Sequence, residues 1–355
     1  MFDCVRPRVL WPCSLVLLWF IAALAVGCVD LPHDIEAPRT MRSSARLSDL
    51  GVFAGDPSAQ QPADGFVAYD VNVSLYADGA QKHRFVFVPP GTTIHAVAGR
   101  WEIPTGTIFV KTFYYPNDAR DPTRGEHLIE TRFLVRTATG YDVATYVWNN
   151  DQTDAIASGG NLEVPVSFVD SDGAAQNRSF HVPGTSQCQS CHGDRALGWR
   201  TRQIDRAQNF ADGTSNQIDH LIAMGVLDGH PPATDALVDP FGAAPLDTRA
   251  RSYLDANCGH CHSSEPTSSA AGTHVYWDYD ATDASLLPLC RATYAINGRN
   301  RVIVPGDPDS SEILARMRAS DPFARMPLGP SRIPDGVGME VLAEWITSMS
   351  PRGCP

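Results

Sequence analysis

The chain has 355 residues, is 43% hydrophobic and 19% charged, and carries a net charge of −12 from 28 basic and 40 acidic side chains. That balance excludes a single small module and wholesale disorder, and the acidic excess excludes a nucleic-acid binder, which needs a basic face. Only two of the basic residues are lysines, Lys82 and Lys111, so any cationic docking patch has to be built from arginine.

The first element, residues 1–27, reads as an export signal. Arg6 and Arg8 precede an uncharged run from Val9 to Val29, and a positive stretch followed by an apolar one is the secretory pattern. The run ends in Leu24-Ala25-Val26-Gly27-Cys28. This resembles a bacterial lipobox, in which Cys28 is lipidated and becomes the first mature residue. Ala23-Leu24-Ala25 offers an ordinary cleavage site, which gives a soluble periplasmic protein. An uncleaved anchor is a third reading, weakened by Pro12. Each places the rest of the chain outside the cytoplasm, and the lipobox reading puts it on the periplasmic side of the envelope as an outer-membrane lipoprotein. Residues 28–46 then form a lipid tether, and Cys4 and Cys13 belong to the signal.

Residues 47–183 predict a β-rich domain, a sandwich or a barrel. Phe66–Val71, His83–Val88, Thr107–Tyr114, His127–Arg136 and Tyr141–Trp148 are rich in β-branched and aromatic residues. Pro89-Pro90-Gly91, Pro116-Asn117-Asp118 and Thr139-Gly140 separate them as turns. The alternation in Leu128–Val135 is partial, so the buried face cannot be chosen from the pattern. Asp64, Asp70, Asp78, Asp118 and Asp121 read as turn formers more readily than as a metal cage. His83, His95 and His127 read as ordinary half-buried residues.

The chemistry lies in the next two segments, 184–240 and 241–355. Cys188-Gln189-Ser190-Cys191-His192 and Cys258-Gly259-His260-Cys261-His262 are both C-x-x-C-H, the attachment signal for c-type haem. Two cysteines three positions apart can form thioethers to one porphyrin, and the histidine that follows meets the iron. Nine cysteines and eleven histidines in 355 residues make two such pentads far too many for chance. A zinc site or a pair of disulfides uses C-x-x-C but leaves both histidines without a reason. Two covalently bound haems c are therefore expected, each in a small helical module.

Each iron needs a second ligand or an open face. For the second haem the candidates are Met317, Met326 and Met339. Met317 follows Ile313 and Leu314 at helical spacing, and Met339 opens a helix with Val341, Leu342, Trp345 and Ile346 as its apolar stripe. Met326, in Arg325-Met326-Pro327-Leu328-Gly329, stands in a stiff loop and is the chosen ligand. For the first haem the candidates are His220, Met224 and His230; Met224 is favoured slightly over His220, both on a helix that follows Asn216, with an open or water-bound iron as the alternative. Cys290 and Cys354 are left as an even pair, which suggests a disulfide in an oxidising compartment, or else two free thiols.

Taken with these motifs, the chain resembles a family of secreted bacterial dihaem c-type cytochromes with a β-rich N-terminal region. The resemblance is carried by Leu47-Ser48-Asp49, Tyr69-Asp70-Val71-Asn72, Val110–Asp118, Leu128–Arg132, Tyr146-Val147-Trp148-Asn149, both pentads and Ile303-Val304-Pro305-Gly306. The stretch from Pro305 to Pro327 is similar to the planctomycete-type cytochrome c domain, in which a methionine before proline is the distal ligand. The resemblance implies electron transfer outside the cytoplasm with a redox protein as partner, and no substrate. Two other readings stand beside it. One is a dihaem peroxidase or oxidase with an open iron. The other gives catalysis or ligand binding to the β-rich domain and uses the haems as its electron outlet.

Overall fold

The computed structural model describes residues 44–351 except 98–100, 193–194, 211–212, 266–267, 281–287, 294–298, 322 and 330. These all lie in one compact unit, Asp34–Pro355. The export signal, Cys4, Cys13, Cys28 and Cys354 lie outside the described residues.

The strands are β1 (Phe66–Ala68), β2 (Gln81–Phe87), β3 (His95–Ala96), β4 (Trp101–Glu102), β5 (Ile108–Pro116), β6 (Glu126–Arg136), β7 (Tyr141–Trp148), β8 (Ala155–Ser158), β9 (Leu162–Val169), β10 (Ala175–Val182), β11 (Ala207–Phe210) and β12 (Gly213–Asn216). Six of them form an antiparallel sheet in the order β1-β2-β5-β6-β7-β8, and the other six pair as two-stranded ribbons. The domain is β-rich, as expected. The sheet is open rather than closed into a barrel, because β1 and β8 remain its two edges.

Both faces of the sheet are buried, which is why the alternation in β6 is incomplete. On the first face Ile108, Val110, Phe133, Val135 and Tyr146 lie under Leu47, Val52, Phe53 and Phe66. Thr112 and Thr131 face each other there at 2.8 Å, and the Trp148 indole donates to Thr131 at 3.1 Å. On the second face Val86, Phe109, Leu134 and Val143 meet Trp101, Trp199, Ile218 and Leu221. A bulge between Phe113 and Tyr114 shifts the register. Beyond it, Phe113, Tyr115 and Ile129 are covered by Val166, Phe180 and Val182 of the β9–β10 hairpin. Between these two apolar covers the second face carries charge.

The helices are α1 (Thr185–His192), α2 (Thr201–Ile204), α3 (Gln217–Ala223), α4 (Leu246–Asn257), α5 (Glu312–Arg318) and α6 (Gly336–Ser348). Asn216 caps α3 by accepting from the Ile218 N–H at 2.8 Å. The first three helices do not build a core of their own. Ile204, Ile218 and Leu221 join the cluster on the second face of the sheet, so the expected separate module over 184–240 is here an extension of the β domain. The last three do make their own cluster, from Ala250, Tyr253, Leu254, Leu314, Val341, Leu342, Trp345 and Ile346. The stripe expected on the last helix is the part of α6 that enters it. Gly338 lets the Tyr253 ring lie against α6, since a Cβ there would come within 2.4 Å of it. The Tyr253 hydroxyl donates to Asp335, the N-cap of α6, at 2.9 Å.

Candidate functional site

The first pentad closes α1. Pro183-Gly184 turns the chain out of β10, and Cys188 N–H donates to the Gly184 carbonyl at 3.2 Å. Helical geometry then puts Cys188, Cys191 and His192 on one side. The second pentad continues α4 as a tight turn, with Cys261 and His262 N–H both donating to the Cys258 carbonyl at 3.1 and 2.9 Å. Gly259 is needed in that turn, because a Cβ would sit 2.7 Å from the Asp255 carbonyl oxygen.

Both motif histidines are oriented in the same way. His192 Nδ1 lies 3.3 Å from the Arg195 carbonyl oxygen and His262 Nδ1 lies 3.0 Å from that of Val275. A Nδ1–H held by a carbonyl fixes the tautomer and leaves Nε2 as the free base, the arrangement of a metal-ligating histidine. Burial, then the Lys111 ammonium, hold His192 down at about 3, and burial also lowers His262. Both are thus neutral imidazoles at neutral pH.

One cavity of about 1550 Å³ is lined by both pentads, by Met326 and Met317, and by the sheet residues Phe109, Lys111 and Arg132. It exceeds the roughly 300–1,000 Å³ of a site for a single small molecule, and its donor set of four thiols, two oriented imidazoles and a thioether fits two haems c. The pentads meet in it. The ligand atoms of Cys191, His260 and Cys261 lie within 4.8 Å of one another. The contact between the Cys191 and Cys261 sulfurs holds the Cys191 thiol above its usual range. Burial pushes Cys258 up to about 12 and also raises Cys188.

The segment from Tyr69 to Asp78 ties this assembly together. Asp70 accepts from Arg84 and Arg206 at 2.5 and 3.1 Å. Asn72 Nδ2 donates to the Arg202 and Asp205 carbonyls at 2.8 and 2.9 Å. The Tyr76 N–H donates to Asn257, beside the second pentad, at 2.8 Å. Asp78, 2% exposed, accepts the Arg332 and Ile333 N–H groups at 2.9 Å and so holds the loop that follows Met326. Arg200 joins the first-motif side to Asp255 of α4, with one hydrogen bond at 3.1 Å. Four of the five loop aspartates thus bind separate partners, and among the described residues they form no cage; Asp118 pairs with Arg120 at 2.8 Å and Asp121 accepts from Thr123.

Met326 lines the cavity. Its N–H donates to the Arg316 carbonyl at 3.1 Å, and Arg316 is one of the charges acting on His262, so the loop stands at the second pentad. Met317 is buried in the helical core and also reaches the cavity wall, whereas Met339 packs on the core alone. The two favoured candidates for the first haem do not come to the site. The apolar side of α3, Ile218 and Leu221, turns to the sheet, which leaves Met224 56% exposed and His220 stacked on Phe210 with centroids 3.6 Å apart. Neither lines the cavity. Cys290 is disulfide-bonded; its expected partner Cys354 is outside the described residues.

The motif search misses the charged row on the second face. Strand pairing aligns Arg84 with Lys111 and Lys111 with Arg132, and all three line the cavity. Burial, with Arg84 and Arg132 on either side, brings Lys111 down to about 7. The signal in the sequence is charge set inside the strand runs: Lys82 and Arg84 two apart, Lys111 as the one charge of β5, and Glu130 and Arg132 two apart. Comparison of the chain with family models, with curated proteins and with solved structures finds no match.

Proposed function

We propose that the protein is an exported dihaem c-type cytochrome that transfers electrons in the periplasm or at the outer membrane. The observation that carries this reading is the single cavity lined by two C-x-x-C-H pentads whose histidines both offer a free, neutral Nε2. Haem when bound supplies one-electron redox chemistry. Cys188 and Cys191 would hold one haem and Cys258 and Cys261 the other. His192 and His262 would each ligate one iron, and Met326 would supply a second ligand to the iron held by His262. The C-terminal helices with their own core are then a small cytochrome c-like module, while the first site is shared between α1 and the sheet. Cys191 and Cys261 lie within 4.8 Å, so the thioether attachments begin side by side, a placement suited to passing electrons from one centre to the other. The partner is a redox protein, and Cys28 is the proposed lipid anchor.

The Cys191–His260–Cys261 group favours one other reading, a zinc site. It leaves Cys188, Cys258 and two oriented histidines without a role. A peroxidase would need one iron open to small ligands. Optical spectra of the holoprotein, oxidised and reduced, with and without carbon monoxide or cyanide, separate these. Two low-spin haems that ignore both ligands fit electron transfer; rapid binding at one haem in the wild-type protein would favour the peroxidase instead.

A further inference from the structure

Within the charged row, every cation but one has a partner. Arg84 bonds Asp70 at 2.5 Å and Ser74 at 2.6 Å, Arg132 bonds Glu130, and the Lys82 ammonium donates to the Leu75 carbonyl at 2.6 Å. Lys111 makes no hydrogen bond or ion pair among the described residues. It is only half-buried although the sheet face around it is covered, because it opens on the cavity. It stands near the first pentad, because Cys188 is buried in the same cluster as Phe109 and Leu134, which lie two positions from Lys111 and Arg132 on that sheet face. The other nitrogen and sulfur bases are placed less well: Met317 packs in the C-terminal helical core, and His260 sits beside Cys191 and Cys261 where the attachments begin. His220 and Met224 are outside the cavity, and Met326 belongs to the second pentad. His181 lines the wall with its Nδ1 2.8 Å from Glu163 and its Nε2 buried without a hydrogen-bond partner, so it is the rival that the test has to separate from Lys111.

Resting on the dihaem reading above, we propose that the Lys111 amine is the second axial ligand of the haem attached at Cys188 and Cys191, opposite His192. The ammonium gives one proton to solvent and its nitrogen lone pair forms the bond to iron; no electron moves. Binding as a neutral amine also removes one of three like charges from the row Arg84–Lys111–Arg132, where repulsion between close cations is strong at low dielectric. The sheet would then serve as the distal wall of the first haem. This gives the β-rich domain a direct part in setting that centre's potential.

The test uses the full chain, purified with its covalent haems, as wild type, Lys111→Arg and His181→Ala. Paramagnetic resonance and near-infrared spectra of the ferric wild type should show one histidine–amine and one histidine–methionine centre. Lys111→Arg keeps the charge and cannot ligate. It should turn half of the haem high-spin and open that half to carbon monoxide, with both haems still attached, while His181→Ala should change neither centre. A wild-type spectrum with no amine-ligated centre overturns the proposal even if Lys111→Arg fails to fold, as does loss of the first sixth ligand in His181→Ala. A wild-type chain without covalent haem counts instead against the dihaem reading itself.

Discussion

The two pentad histidines illustrate how much a single backbone contact decides. Each could carry its proton on either nitrogen, and the carbonyls of Arg195 and Val275 select Nδ1. If the second haem is held as proposed, with His262 and Met326 as its ligands, the thioether would favour ferrous iron. Met326→His should therefore keep the second haem six-coordinate but lower its potential in a redox titration, and Met326→Ala should open it to carbon monoxide without detaching it. If both variants keep the parent potential and ligand resistance, Met326 is a packing residue. Asp78 acts one step further out. Asp78→Ala leaves the partly buried N–H groups of Arg332 and Ile333 without that acceptor, at a cost of about 1 kcal/mol. It should lower the denaturation midpoint and make the second haem more reactive to carbon monoxide, whereas unchanged reactivity would show that the loop needs no such tie. The pentads were legible in the sequence because their chemistry is local. The place of Lys111 was not, because it depends on the pairing that sets it between Arg84 and Arg132.

At the scale of elements, β1, β2, β5, β6 and β7 follow the β-branched runs to within a few residues, the short β3 and β4 fall outside them, and the Thr139-Gly140 turn joins β6 to β7 as expected. Which face was buried could not be read, since clusters on both sides fill it. The helix after Asn216 was also found, but periodicity could not say where its second side points, and that side holds His220 and Met224. The helix α6 stripe was fully legible because amphipathic spacing and burial coincide there. Leu342 is fully buried in that core, so Leu342→Ala should cost about 2–5 kcal/mol, measured by chemical denaturation of the holoprotein. A loss under about 1 kcal/mol would mean that the cavity collapses without penalty or that α6 is not part of the folding core.

For the whole molecule, the sheet, the Tyr69–Asp78 segment and the C-terminal helices converge on one cavity, and that convergence could not be foreseen from spacing along the chain. The proposed anchor adds a prediction at this scale. Labelled fatty acid should enter the protein through Cys28, and Cys28→Ser should abolish it; two or more acyl chains hold firmly because each buried CH₂ contributes about 0.8 kcal/mol. An unlabelled wild-type chain starting at Val26 would show ordinary secretion. The central claim, that the cavity holds two covalent haems, is tested most directly by the mass of the denatured protein made with haem-maturation machinery. Two added haems are predicted, falling to one when either pair, Cys188 with Cys191 or Cys258 with Cys261, is replaced by alanine. A chain of unmodified mass, or one that carries stoichiometric zinc before denaturation and no haem after it, would contradict the account.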